Sequence, residues 1–353
     1  MIGIIFLLDL KYAPYLKNYT NVLESMNLEY EIITWNRLSN DQKPNVYSFY
    51  APLKLETKKS KKLRLFLKYS NFINKRIKQQ KYSKLIVLTT ITGFLAYKSL
   101  RKYKNNFIFD IRDYTYEKNP LFKCFESKII KMSKFTVISS PGFKEFLPKG
   151  NYIISHNFLS EEINPSFSYQ SFDPHNKVRI VFLGAVRHFA FDKKMIDFFK
   201  NDERFELWFH GNGASFEKTK EYVSISKITN VFLTGEYDRK NKPLLYSGAT
   251  IINGYYSENE YANLFALSNK FYDSLIYKIP FWGNPKCYCG RKAVENGFGL
   301  NVELSENSKE EIINFLINMD CESFNKNCCK ELDKVIEENN IFAEQLKDFL
   351  DEQ

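Results

Sequence analysis

The residues in this chain whose types and spacing could do chemistry lie in one helical segment and at the ends of several short apolar runs. In the segment from Leu267 to Pro280, Ser268 and Asn269 are good helix caps and Pro280 is a stop signal. At roughly 100° per residue, Phe271, Tyr272, Leu275, Ile276 and Ile279 fall on one side, while Lys270, Asp273 and Tyr277 share a sector opposite. One face is expected to bury and the other to hold a ligand. A cation beside the free N–H groups of a first turn suits an anion, and a carboxylate one turn later suits hydroxyl groups. The combination fits a nucleotide, with phosphate at Ser268, Asn269 and Lys270 and ribose at Asp273. A solvated i,i+3 ion pair on an ordinary helix would have the same spacing.

Three other segments put glycine and polar groups after an apolar run: Gly184-Ala185-Val186-Arg187, Gly211-Asn212-Gly213 and Gly235-Glu236-Tyr237. Glycine admits close approach of a ligand to the backbone, and Arg187 could neutralise a diphosphate. Each could equally be a plain turn. A fifth candidate is Asp113, in Asp110-Ile111-Arg112-Asp113. It could orient or deprotonate an acceptor hydroxyl, and capping the next helix is an equal reading. No histidine pairs by spacing into a triad. Cys287-x-Cys289 and Cys328-Cys329 lack a second ligand pair at zinc spacing, so no metal site is expected, and the absence of a G-x-x-x-x-G-K-[ST] loop disfavours a P-loop nucleotidase.

The elements that must position these residues alternate. Apolar runs at Ile2–Leu8, Tyr30–Trp35, Lys84–Leu88, Phe107–Ile111, Phe135–Ser139 and Tyr152–Ile154 read as strands separated by amphipathic helices, the pattern of a parallel sheet covered by helices. No G-x-G-x-x-G follows the first run, so a bound NAD is not expected. The pattern lapses at 158–176, which reads as a linker. It resumes at Val178–Leu183, Phe205–Phe209, Val231–Leu233, Ala249–Ile252 and Phe281–Trp282. The chain therefore predicts an α/β architecture of two Rossmann-like doubly wound domains facing across a cleft, at 1–157 and 177–328. A C-terminal helix at 329–353, with an apolar stripe, is free to pack back toward the first domain. Ligands in such sheets bind outside the carboxyl ends of the strands, which is where the candidate loops fall.

Among 353 residues, 16% are aromatic and the net charge is +10, with 28 basic against 13 acidic residues in 1–170 and 23 against 28 in the rest. The basic half predicts an anionic partner surface. From Lys54 to Lys84, twelve Lys and Arg are interleaved with Leu63, Leu65, Phe66, Leu67, Phe72 and Ile73, which fits either an anionic bilayer face or a solvated helix. No recognition module for nucleic acid is present, so that partner is not expected. With six cysteines, no secretory signal and no run long enough to span a bilayer, the expected location is the cytoplasm, peripheral on the inner face of the plasma membrane.

The second half resembles the nucleotide-binding domain of B-fold (GT-B) glycosyltransferases, especially the family-four-like bacterial capsule and surface-polysaccharide enzymes. The resemblance rests on Phe182-Leu183-Gly184-Ala185-Val186-Arg187, His210-Gly211-Asn212-Gly213, Val231-Phe232-Leu233-Thr234-Gly235, and Ser268-Asn269-Lys270-Phe271-Tyr272-Asp273 with Lys278-Ile279-Pro280. It implies that Arg187 and Lys270 stabilise a UDP or GDP leaving group, that Asp273 holds the ribose, and that the Asp113 loop faces the acceptor. It also implies transfer from a nucleotide-sugar donor to a glycan, lipid-linked acceptor, with retention and without a cofactor or metal. The family often has two glutamates eight residues apart. Here the second position is Asp273 and the first is Phe265. A nucleotide-sugar epimerase or hydrolase on the same fold, and a non-catalytic basic protein binding membranes or RNA, are the alternative readings.

Overall fold

The computed structural model describes residues 1–10, 13–37, 44–53, 57–112, 119–158, 163 and 166–352. The chain forms two compact units, Met1–Asn157 with Ile336–Gln353, and Phe158–Val335.

The first unit holds β1 (Ile2–Phe6), α1 (Lys17–Ser25), β2 (Tyr30–Asn36), β3 (Val46–Tyr50), α2 (Lys59–Gln80), β4 (Lys84–Leu88), α3 (Thr90–Leu100), β5 (Phe107–Ile111), α4 (Pro120–Met132), β6 (Thr136–Ile138) and β7 (Tyr152–Ile154). Its strands pair in parallel in the order β3-β2-β1-β4-β5-β6-β7. The near-continuous apolar character of β1, β4 and β5 follows from this, because a parallel strand covered on both faces buries every side chain, as these do. β3 escaped the sequence reading: Val46-Tyr47-Ser48-Phe49-Tyr50 is a partly exposed edge strand with polar neighbours.

The second unit holds β8 (Val178–Leu183), α5 (Phe189–Phe199), β9 (Phe205–His210), α6 (Phe216–Ile225), β10 (Val231–Gly235), α7 (Lys242–Leu245), β11 (Ile251–Gly254), α8 (Tyr261–Phe265), α9 (Asn269–Tyr277), β12 (Phe281–Gly283), α10 (Tyr288–Glu295), β13 (Gly299–Leu300), α11 (Ser308–Ile317) and the start of α12 (Cys321–Asp351). The sheet is again parallel, in the order β10-β9-β8-β11-β12-β13. The order reverses between β8 and β11, and a doubly wound sheet binds its ligands outside the carboxyl ends of the strands at that reversal. Parts of the 158–176 stretch pack on this unit: Phe158 stacks on Tyr272, Phe167 meets the edge of Tyr277, and Tyr169 packs on Phe324.

α12 is one 31-residue helix beginning at Cys321, eight residues before the start read from sequence. Its last turns complete the first unit. Phe342, Leu346, Phe349 and Leu350 join the core around β1 and β4, and Phe342 meets the edge of Tyr19 at 5.1 Å. Buried Lys84 donates to the carbonyls of Phe349, Leu350 and Glu352, placing a cation on the orphan carbonyls of a helix C-terminus.

Candidate functional site

At the carboxyl edge of the second sheet, the loops after β8, β9 and β10 are laced together by their backbones. Gly184 N–H donates to the His210 carbonyl (2.9 Å), Gly211 N–H to the Gly235 carbonyl (2.7 Å) and Val186 N–H to the Asn212 carbonyl (3.2 Å). Two glycines are required by this lacing. A Cβ on Gly211 would lie 2.0 Å from the Gly184 carbonyl oxygen, and one on Gly213 would lie 2.3 Å from that of Val186. Both obstacles are backbone and cannot step aside. His210 lies beneath, with Nδ1 2.7 Å from Thr234 Oγ1, and burial lowers its pKa.

α9 brings Lys270 to this edge. The side chain is buried, donates from Nζ to the Tyr256 hydroxyl (2.7 Å) and lies over the Phe182 ring at 4.1 Å. Its Nζ is 3.0 Å from where a Cβ of Gly184 would stand, so the first glycine loop and the helix meet at one point. No carboxylate pairs with this ammonium among the described residues. Ser268 occupies the N-cap position of α9, yet its hydroxyl makes no capping bond and is buried without a partner. Asn269 follows on the exposed side. A buried cation, an unpaired hydroxyl and a helix N-terminus are groups whose chemistry suits an anion.

Arg187 is exposed at the end of the first loop. Its carbonyl accepts from Ser215 Oγ (2.8 Å), while its guanidinium pairs with none of the described residues. Asn212 and Glu236 are exposed and Tyr237 is half-buried on the neighbouring loops. Asn212 Oδ1 accepts from the Gly213 N–H at 2.7 Å.

Asp273 differs from the sequence reading. α9 has no open sector, since every residue from Lys270 to Tyr277 is buried. One Asp273 oxygen accepts from Lys242 Nζ (2.7 Å) and the other from the Tyr246 hydroxyl (2.8 Å). With Phe158 and Phe167 packed on the helix and α7 supplying the counter-charge, Asp273 braces α9 from within. Asp113 lies outside the described residues. Nearby, Asp110 is buried and accepts from the Tyr19 hydroxyl and Arg112 Nε, and Arg112 in turn donates to Ser155 Oγ (3.0 Å) and to its carbonyl (3.1 Å). Phe265 packs beside Tyr261 on α8.

The sequence reading missed Tyr256, Lys242, Tyr246, Asp192 and the His188–Glu260 pair, whose Nε2 and Oε1 are 3.1 Å apart. The run Gly254-Tyr255-Tyr256 at a strand end was the available signal for Tyr256; Lys242 and Tyr246 carry none, because α7 is a four-residue helix. A separate cavity of about 770 Å³ lies at the opposite, amino edge of the sheet, lined by Phe167, Arg179, Tyr246 and Lys278 among others, away from the glycine loops. Among the described residues no three His, Cys, Asp or Glu side chains converge as a metal site would require, and no helix is long and apolar enough to cross a membrane.

No protein-family model matches the chain, and no curated protein sequence matches it. Solved structures do. The sucrose-phosphate synthase of Thermosynechococcus elongatus superposes with a TM-score of 0.73 at 11% identity, covering 99% of this chain and 98% of that one. HepE of Anabaena, solved with UDP and glucose, gives 0.67 at 11% identity over 98% of both chains. The lipopolysaccharide outer core galactosyltransferase WaaB gives 0.66 at 12% identity over 97% and 98%. The chain has the fold of the GT-B glycosyltransferases, two parallel-sheet Rossmann-like domains.

Proposed function

We propose that the chain is a glycosyltransferase that takes its sugar from a nucleotide donor, UDP- or GDP-linked, bound at the carboxyl edge of the second sheet. The observation that carries this reading is Lys270, a buried cation with no carboxylate partner among the described residues, set against Gly184 at the strand-order reversal and next to the α9 N-terminus. Breaking a sugar–phosphate bond builds charge on the leaving diphosphate, and fixed cations are worth most there. Arg187 supplies a second, exposed cation, so these residues can neutralise the leaving group without a metal ion. HepE was solved in complex with UDP and with UDP-glucose, which supports a UDP donor.

The acceptor is a lipid-linked glycan of bacterial surface-polysaccharide assembly, and transfer proceeds with retention. Asp113 orients the acceptor hydroxyl. The enzyme works in the cytoplasm, peripheral on the inner face of the plasma membrane, with the 54–84 segment on anionic lipid. Supporting this, α2 buries Tyr69, Ile73 and Ile77 but leaves Leu63 and Leu67 63% and 58% exposed among its lysines. Lys54 to Thr57 contributes only Thr57 to the described residues.

A thermal-shift panel of UDP, GDP, CMP, ADP and their sugars, repeated on Lys270→Ala and Arg187→Ala, tests the donor site. Selective stabilisation by one nucleoside diphosphate, lost in Lys270→Ala, is expected; indifference to all of them refutes the proposal. Sugar release without an acceptor would instead mark a hydrolase, and polyanion binding without nucleotide preference a non-catalytic basic protein.

A further inference from the structure

The core-facing stripe of α5 ends in a carboxylate. Met195, Ile196 and Phe199 are buried in the core of the second unit, and Asp192 stands one turn earlier on the same stripe, at i−3 and i−4 from the first two. The stripe lies against β11, since Asn253 Nδ2 donates to Met195 Sδ at 3.0 Å. The next contact along α5 is with the loop that follows β11, where Phe191 stacks on Tyr255 at 6.0 Å and 12°. Asp192 therefore stands where the β8 and β11 loops come together at the reversal of strand order. The His188–Glu260 pair ties the same two loops at 3.1 Å, and Tyr256, next to Tyr255, is the residue that holds Lys270 Nζ.

One oxygen of this carboxylate, Oδ2, is buried and has no hydrogen-bond partner. An apolar residue would continue the stripe at no such cost. A first-turn aspartate on an exposed helix has its charge favoured by the free N–H groups and the dipole. Burial overrides that here and pushes the Asp192 carboxyl up to about 6, with His188 opposing the shift. Lys193, the adjacent cation, is committed to Asp197, so it does not supply the missing donor.

We propose that Asp192 is a donor-recognition residue, whose free oxygen accepts a hydrogen bond from a ring hydroxyl of the nucleotide-sugar bound beside Lys270. The proposal rests on the donor site described above. A hydroxyl fits where a phosphate does not, because a carboxylate repels a diphosphate and accepts from an alcohol. The hydroxyl comes from the glycosyl ring or from the ribose.

The test measures dissociation constants by calorimetry for UDP, 2′-deoxy-UDP, 3′-deoxy-UDP and UDP-glucose, and for GDP and GDP-mannose, on the wild-type chain, Asp192→Asn and Asp192→Leu. Thermal unfolding of each protein without ligand is followed in parallel. Loss of a hydrogen bond to a charged acceptor weakens binding by about 10- to 100-fold. If the contact is to the glycosyl ring, Asp192→Leu loses that factor on the nucleotide-sugar and Asp192→Asn, which keeps a neutral acceptor oxygen, loses a smaller one, while both keep wild-type affinity for the nucleoside diphosphate. A ribose contact shows as an equal loss on both, absent for one of the two deoxynucleotides. Both variants are expected to unfold at or above the wild-type temperature, because a burden on the free protein has been removed; this separates lost recognition from lost folding. Unchanged affinities, or tighter binding of every diphosphate, would overturn the proposal while leaving the donor site intact. Failure of the wild-type chain to bind any nucleotide or nucleotide-sugar would remove the donor site itself.

Discussion

Replacing Lys242 by Met tests whether Asp273 braces α9 or serves the ligand. The Lys242 and Asp273 side chains are 9% and 4% exposed, and Tyr246, the second partner of the carboxylate, is buried. Removing the ammonium leaves a buried charge with one neutral donor, a change that costs about 3–5 kcal/mol. For a folding unit of this size each kcal/mol shifts the unfolding temperature by about 2–4 °C, so a fall of roughly 6–20 °C is expected. Tyr246→Phe removes only a hydroxyl and should cost about 1–3 kcal/mol. The double variant Lys242→Met/Asp273→Leu removes both charges and should recover most of the loss, since an apolar replacement of a buried pair is often neutral. Trp208 and Trp282 lie in this unit and Trp35 in the other. Urea unfolding monitored by tryptophan fluorescence in a Trp35→Phe background therefore reports on the second unit alone. Additive losses in the double variant would refute the brace. So would a Lys242→Met protein, still folded, that no longer distinguished UDP from 2′-deoxy-UDP.

Four further outcomes follow from the geometry. Lys270→Met should abolish nucleoside diphosphate stabilisation and lower the transfer rate about a hundredfold or more, while raising the unfolding temperature of the free protein; a turnover assay and a melt on the same sample check both signs. Gly211→Ala should disrupt the lacing of the glycine loops, because its Cβ would stand 2.0 Å from the Gly184 carbonyl, and nucleotide binding measured by calorimetry should fall with it. The Asp192 carboxyl, raised from an ordinary 3.8 to about 6, binds its proton more tightly folded than unfolded. Its contribution is fully favourable below about pH 4 and is lost as the pH rises to 6, a swing of about 3 kcal/mol; melts of wild type and Asp192→Asn from pH 4 to 7.5 should diverge over that window. Finally, Leu63→Glu/Leu67→Glu should weaken flotation with vesicles containing anionic lipid and leave the melting temperature within error, since both side chains are exposed.

The parallel-sheet architecture was legible because strands covered on both faces must be apolar throughout. Ile2–Phe6, Lys84–Leu88 and Phe107–Ile111 announce themselves that way, and Gly184, Gly211, Gly213 and Gly235 mark where strands end. The glycine loops and Lys270 were readable for the same reason: each sits at a boundary that local pattern defines. What pattern could not show was which polar residues would find partners. Lys242 meets Asp273 across 31 residues and Tyr246 meets it across 27, and no helical or strand period links such positions. Asp192 was visible as a charge in the sequence but not as the end of a buried stripe, because assigning it to that stripe requires knowing that Met195, Ile196 and Phe199 face the sheet.

The same helix carries two buried charges with opposite fates, and the difference supports the proposed donor site. Lys270 and Asp273 are three residues apart, so sequence alone makes them a pair. In the folded chain neither pairs with the other. Asp273 has both oxygens satisfied inside the protein, which gives the helix a fixed place against α7 and leaves that charge little left to offer a ligand. Among the described residues Lys270 has a neutral hydroxyl, an aromatic face and no carboxylate. Desolvating an ammonium for so little return is costly unless an anion arrives. Ser268, with a buried hydroxyl lacking a partner, and Asp192, with one oxygen in the same condition, stand on elements that meet the same carboxyl edge. Buried polar groups in a folded chain are nearly all satisfied, so an open group at a carboxyl edge is one a ligand can complete. A cation, a hydroxyl and a hydroxyl acceptor left open together suit a ligand with a phosphate at one point and an alcohol at another, which is the chemistry of the proposed nucleotide-sugar donor.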